Sequence, residues 1–202
     1  MFFALQVPKK NSSLLIWKRR DSLISYLSVP ESRYPIITYS DFTMAIKLDD
    51  VTINLQGLDL GDIFSAWKWR IGDQKALILI SKLGDMFLLG ADDAVYWLQT
   101  DSGDLTKIAD NLEHFEQRLT QEEYLDNWFL PKLIKQLHHA GKTLGPNKVY
   151  SYKKLPVIGG EYSIDNIDPT DISVHFAFSG QICSQIRDLP DGTKVKLIIK
   201  KK

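Results

Sequence analysis

The chain has one cysteine among 202 residues, no long apolar run, and no excess of charge of either sign. The single thiol, Cys183, excludes an internal disulfide and fits a reducing compartment, where a buried cysteine packs as a small hydrophobe. No stretch reaches the roughly 18 apolar residues that a spanning helix needs. Residues 1–7 are apolar but too short for a signal-peptide core. Lys9 and Lys10 follow that run, whereas a signal places its positive charge first. These absences predict a cytoplasmic protein.

Catalytic signatures are also missing. There is no G-x-x-x-x-G-K-[ST] phosphate loop and no G-x-S-x-G nucleophile elbow. Of the four histidines, His138 and His139 are adjacent and would point about 100° apart on a helix, so they cannot readily share one ion. His114 and His175 stand alone on helical stretches and read as structural. The acidic pairs Asp92/Asp93 and Glu122/Glu123 read as turn formers and helix-start residues, with no second catalytic group beside them. The expectation is a binding protein with no catalytic residue, no metal and no cofactor.

What is present is an ordinary globular composition, 44% hydrophobic and 25% charged, enough for one domain with a core. The zero net charge hides a pattern. Residues 44–193 hold 14 basic and 22 acidic groups, a net of −8, while residues 1–43 and the last nine residues are basic. An acidic body disfavours nucleic acid and suits a basic protein partner.

Residues 1–43 read as an N-terminal extension, with a helix capped by Ser12 or Ser13 and then broken by Pro30 and Pro35. Residues 44–202 read as an α+β domain. Short apolar runs at 76–80, 86–89, 94–98 and 105–108, separated by turn residues, predict an antiparallel meander. Asp110 or Asn111 starts a helix, and Pro131 starts a fresh one that Gly141 ends. Residues 149–152 read as a strand, and Pro156 with Gly159-Gly160 as a loop. Asp168, Thr170 or Asp171 caps a largely buried helix to about Arg187, where Gly180 calls for a close packing partner. A lysine-guarded edge strand follows at 193–199. The expected architecture is a twisted antiparallel sheet with helices packed mainly on one side.

Trp67 and Trp69 are spaced so that both should not face one core on a regular element, which leaves one for a contact surface. The candidate partner-binding residues are Trp67, Trp69, Asp92, Asp93, Asp101, Tyr152 and Glu161. A small-ligand or regulatory scaffold with a pocket near Gly159-Gly160 is the alternative.

Several ordered blocks resemble a bacterial family: D-I-F-S-A-W-K-W-R at 62–70, G-D-M-F-L-L-G at 84–90 and V-Y-W-L-Q-T-D-S-G-D at 95–104. N-W-F-L-P at 127–131, G-G-E-Y-S-I-D-N-I at 159–167 and L-P-D-G-T at 189–193 complete the set. The family is the C-terminal domain of immunity proteins paired with type VI secretion DNase effectors, similar to SMI1/KNR4-like (SUKH) proteins, and the resemblance spans roughly residues 58–200. It implies a SUKH-like fold and a non-enzymatic cytoplasmic protein. Its implied partner is a cognate toxin whose active site it blocks; the acidic body and the lack of a spanning run add the expectations of a basic nuclease and of no nucleic acid or membrane as ligand.

Overall fold

The computed structural model describes residues 2–6, 47–72, 75–190 and 192–200. Its centre is the expected meander, four antiparallel strands in the order β2 (Lys75–Ile80), β3 (Met86–Gly90), β4 (Val95–Leu98) and β5 (Leu105–Ala109). The connections use the turn chemistry legible in the sequence. Gly84 and Gly103 have φ of 85° and 81°, a region that favours glycine, and Asp93 reaches 60° at the β3–β4 turn. A bulge between Leu77 and Leu79 shifts the β2–β3 register.

Alternation along the strands sends neighbouring side chains to opposite faces, and both faces are apolar. Ile80, Met86, Leu88 and Leu98 belong to one core cluster, with Ile63 of α1 (Leu60–Ser65), Ile71 of α2 (Lys68–Ile71) and Phe176 and Ile182 of α6 (Ile172–Ile186). Leu79, Phe87, Val95, Trp97 and Ile108 belong to a second, with Phe115 of α3 (Leu112–Arg118) and Leu125 and Trp128 of α4 (Glu122–Trp128). The class is α+β as expected, but the helices are not packed mainly on one side. The meander is sandwiched, because nearly every strand position is apolar rather than every second one.

Helix starts follow capping rules. Asp59 accepts from the Gly61 and Asp62 amides at α1, Asn111 from the His114 amide at α3, and Asp171 from the Ser173 and Val174 amides at α6. Pro131 opens α5 (Pro131–His139), and Gly141 follows it in the left-handed region at φ 77°.

Two strands were not legible. β7 (Ile167–Asp171) pairs antiparallel with β6 (Lys148–Tyr152), with Tyr150 opposite Pro169. The segment D-P-T-D reads as a turn and cap, and only an edge ribbon tolerates proline in a strand. A last antiparallel pair joins β1 (Phe2–Gln6) to β8 (Lys196–Lys200). The lysine-rich strand thus has a partner drawn from the expected extension. The helix expected after Ser12 or Ser13 lies outside the described residues.

Gly180 has its close neighbour. A Cβ built there would sit 2.5 Å from the Ala66 carbonyl oxygen, just past the end of α1. Gly180→Ala is expected to lose about 1–3 kcal/mol in urea unfolding: the gain in helix propensity of about 1 kcal/mol is outweighed by overlap with backbone that cannot rotate away. A stability equal to or above wild type would show that α1 yields freely.

Candidate partner-binding surface

The seven candidate residues separate into two groups at opposite ends of the meander. Asp92 and Asp93 form the β3–β4 turn, while Asp101 lies in the β4–β5 turn, on the order of 20 Å away at about 3.4 Å per residue along β4. Trp67 and Trp69 belong to the second group, as does the loop after Tyr152. The Val157 amide donates to the Asp101 carbonyl, and Gly103 sits against Trp67 and Cys183.

Three of the candidates are core residues. Trp67 is fully buried, and Asp101 and Tyr152 are each 7% exposed, so none offers a free contact face. The W-x-W pair does share one core, contrary to expectation, because the chain breaks between α1 and α2. Trp67 is the N-cap of α2 with φ −115° and ψ 3°, which lets its ring stack on Trp69 at 5.7 Å. Trp69 is half-buried, its Nε1 donates to the Ala66 carbonyl, and the Arg187 guanidinium lies 5.7 Å from its ring centroid. Tyr152 meets Tyr162 edge-on at 5.7 Å.

Asp92, Asp93 and Glu161 are exposed. The Tyr96 hydroxyl donates to Asp92 at 2.7 Å; this bond holds the Asp92 carboxyl below its ordinary range and raises the Tyr96 phenol. Lys107, whose charge reaches Asp92, pairs with Asp110 at 2.8 Å and links the turn to the start of α3. There Glu113 is exposed beside Leu112, a large apolar side chain left 38% exposed. Four carboxylates, Asp92, Asp93, Asp110 and Glu113, thus lie along this edge with Lys75 and Lys107 among them. Sequence reasoning found the first two. Asp110 reads in the sequence only as a helix start.

The opposite end holds a cleft of about 600 Å³. Its walls are Trp69 and Arg70, the turn at 102–104, Lys154, the loop at 157–159, the end of α6, Leu189, Pro190 and residues 192–195. The loop is fixed from behind. The Asn166 amide exchanges hydrogen bonds with the Lys154 backbone and donates to the Glu161 carbonyl. Lys142 donates to the Ile164 and Ile167 carbonyls and to Asp168. Gly159 lies on the wall of this cleft, the loop where the small-ligand alternative puts its pocket. Its basic lining escaped notice, because Arg70, Lys154, Arg187 and Lys194 are far apart in sequence.

The elements from α3 through most of α6 form a continuous stretch of chain, and its sequence has a known likeness. Residues 109–183 match the family model described as T6SS immunity protein Tdi1, C-terminal. This segment is similar to the T6SS immunity family. The match begins at the end of β5 and ends inside α6, so it is narrower than the resemblance over residues 58–200. The crystal structure of Atu4351 from Agrobacterium tumefaciens is similar at 17% identity and a TM-score of 0.45, over 60% of this chain and 63% of that one. This chain thus spans less than two thirds of that protein's length. No curated protein matches.

The Tdi1-like segment also carries two members of a buried polar chain. His175 Nδ1 lies 2.8 Å from Ser151 Oγ, and Nε2 lies 3.1 Å from Thr100 Oγ1 and 3.3 Å from the Gly84 carbonyl. A carbonyl can only accept, so Nε2 carries the proton and Nδ1 accepts from Ser151. Thr100 in turn donates to Asp85, which also accepts from the Thr100 amide and Trp97 Nε1. The order Ser–His–Thr–Asp superficially suggests a nucleophile relay. Ser151, Thr100 and His175 are 4%, 1% and 2% exposed, however, which makes the chain a core clamp joining the meander, β6 and α6. His175, which reads as structural from its isolation in sequence, is buried within this chain of hydrogen bonds.

Among the described residues no group of three His, Cys, Asp or Glu side chains is placed to hold a metal ion. Among the same residues no helix is long and apolar enough to cross a membrane.

Proposed function

We propose that this protein is a non-enzymatic immunity factor that binds a cognate effector nuclease in the cytoplasm and covers its active site. The family match over residues 109–183 carries the reading. The acidic edge supplies the physical means. A nuclease active site is basic because it receives a phosphate backbone, and carboxylates placed around an exposed apolar centre are complementary to such a surface. Asp110 and Glu113 lie beside Leu112 at the start of α3, Lys107 links them to the Asp92–Asp93 turn, and the −8 charge of residues 44–193 raises the encounter rate.

The test uses the product of a candidate toxin gene sought beside this gene. Wild-type protein is expected to bind it and to protect cells producing it. The triple variant Asp92→Lys, Asp93→Lys, Glu113→Lys is expected to associate at least about tenfold more slowly at low salt, with most of the difference gone above about 0.5 M salt, where screening is short-ranged. Wild-type protein that neither binds nor protects would sink the reading. Binding unchanged in the triple variant would remove the acidic edge from it.

A further inference from the structure

We infer that the cleft at the β4–β5 end of the meander binds a small amphipathic anion, a molecule with one carboxylate or phosphate head on an apolar body. This site is separate from the acidic edge and does not depend on the immunity reading. Its volume of about 600 Å³ falls within the range of small-molecule sites, roughly 300–1,000 Å³.

Charge selects the ligand class. Arg70, Lys154, Arg187 and Lys194 line the cleft against Asp104. With Asp188 included, which pairs with Arg187 at 3.0 Å, the cavity still has four cations and two anions. That sign opposes the −8 of residues 44–193, so the positive charge is a local concentration and not a sample of the general surface. Cations gathered in a concave, partly apolar wall focus the potential and attract anions there.

Shape and polarity select the rest of the molecule. Val157, Ile158, Ile186 and Leu189 supply apolar wall between the cationic groups. A bare ion would leave that wall wet, whereas an apolar body would cover it. The Trp69 ring stacks on Trp67 and has the Arg187 guanidinium 5.7 Å from its centroid, so it helps to hold the guanidinium in place. The hydrogen bonds of Asn166 and Lys142 keep the 154–166 loop set before ligand arrives, which lowers the cost of ordering it on binding.

The test uses the full chain with 8-anilinonaphthalene-1-sulfonate as a fluorescent amphipathic anion, and octanoate and inorganic phosphate as competitors. Saturable binding at one site per chain is expected, displaced by octanoate at a concentration at least tenfold below that of phosphate. Lys154→Glu with Arg187→Glu should weaken the probe at least tenfold. Lys154→Glu alone, which leaves the Arg187–Trp69 contact intact, should weaken it about threefold. Lys132→Glu, on α5 and away from the cleft, should leave it unchanged, and the unfolding midpoint of the Lys154 variant should match wild type. Non-saturable fluorescence, equal binding by Lys154→Glu and wild type, or phosphate competing as well as octanoate would each overturn the assignment.

Discussion

Phe87→Ala is expected to remove about 3–5 kcal/mol of stability, a large part of the 5–15 kcal/mol typical of a domain. Phe87 is fully buried on the β3 face that meets α3 and α4. Its ring lies 6.1 Å from Trp97, 6.1 Å from Phe115, 5.1 Å from Trp128 and 5.4 Å from Phe129. Truncation opens a cavity among four rigid rings, which cannot swing in to fill it as flexible aliphatic chains would. Phe87→Leu retains part of the volume and should lose roughly half as much. Urea unfolding followed by tryptophan emission reads the effect directly, since Trp97 and Trp128 form part of the cavity wall. A loss under about 1.5 kcal/mol would show that α3 and α4 collapse onto the strand, and that the second core contributes little.

The predicted loss bears on function as well as on folding. The same cluster seats α3, whose first turn carries Glu113 and the exposed Leu112. A cavity under α3 would therefore loosen one half of the proposed effector contact while leaving the Asp92–Asp93 turn in place. The cleft at the other end borders the first cluster, through Trp69 and Cys183, and should keep its anion affinity in Phe87→Ala.

How much of this was legible depended on whether the signal was local. The four meander strands, the Asn111 and Asp171 caps, Pro131 at a helix start and the need for a neighbour at Gly180 all follow from residues within a few positions of one another. The second covering layer was not local. Phe87 and Met86 look alike in sequence, and only the fold shows that they face different helices. Trp67 and Trp69 were misread because regular periodicity was assumed across a break between two short helices. β7 was hidden by Pro169, which argues against a strand unless the pairing is an edge ribbon. The candidate sites show the same division. Asp92 and Asp93 are adjacent and stand out, whereas the basic cleft draws on positions 70, 154, 187 and 194, which no window along the chain contains.

Acid should destabilise the protein well above the pH at which carboxylates titrate. Burial of His175 holds its pKa down at about 4, against an ordinary 6.5, because the imidazolium would lose its hydration while its neighbours are arranged for the neutral ring. Below pH 6.5 the unfolded chain takes up a proton that the folded chain refuses. Stability is therefore full above about pH 6.5, falls as pH drops toward 4, and levels off below that as the folded state also protonates. The difference of about 2.5 pH units corresponds to about 3 kcal/mol lost across that window. Asp92, Asp110, Asp168 and Asp171 behave in a different window. Their pKa values are lowered from 3.8 by hydrogen bonds, from Tyr96, Lys107, Lys142 and Ser173 respectively, so their contribution is lost only as pH falls below about 4. Urea midpoints measured from pH 8 to pH 3 separate the two. His175→Gln cannot titrate and retains a donor and an acceptor for Ser151, Thr100 and Gly84. It should be less stable than wild type at pH 8 and lose most of the slope between pH 6.5 and 4, so that the two curves converge in acid. A slope that survives the substitution would place the acid sensitivity elsewhere and leave His175 as packing alone.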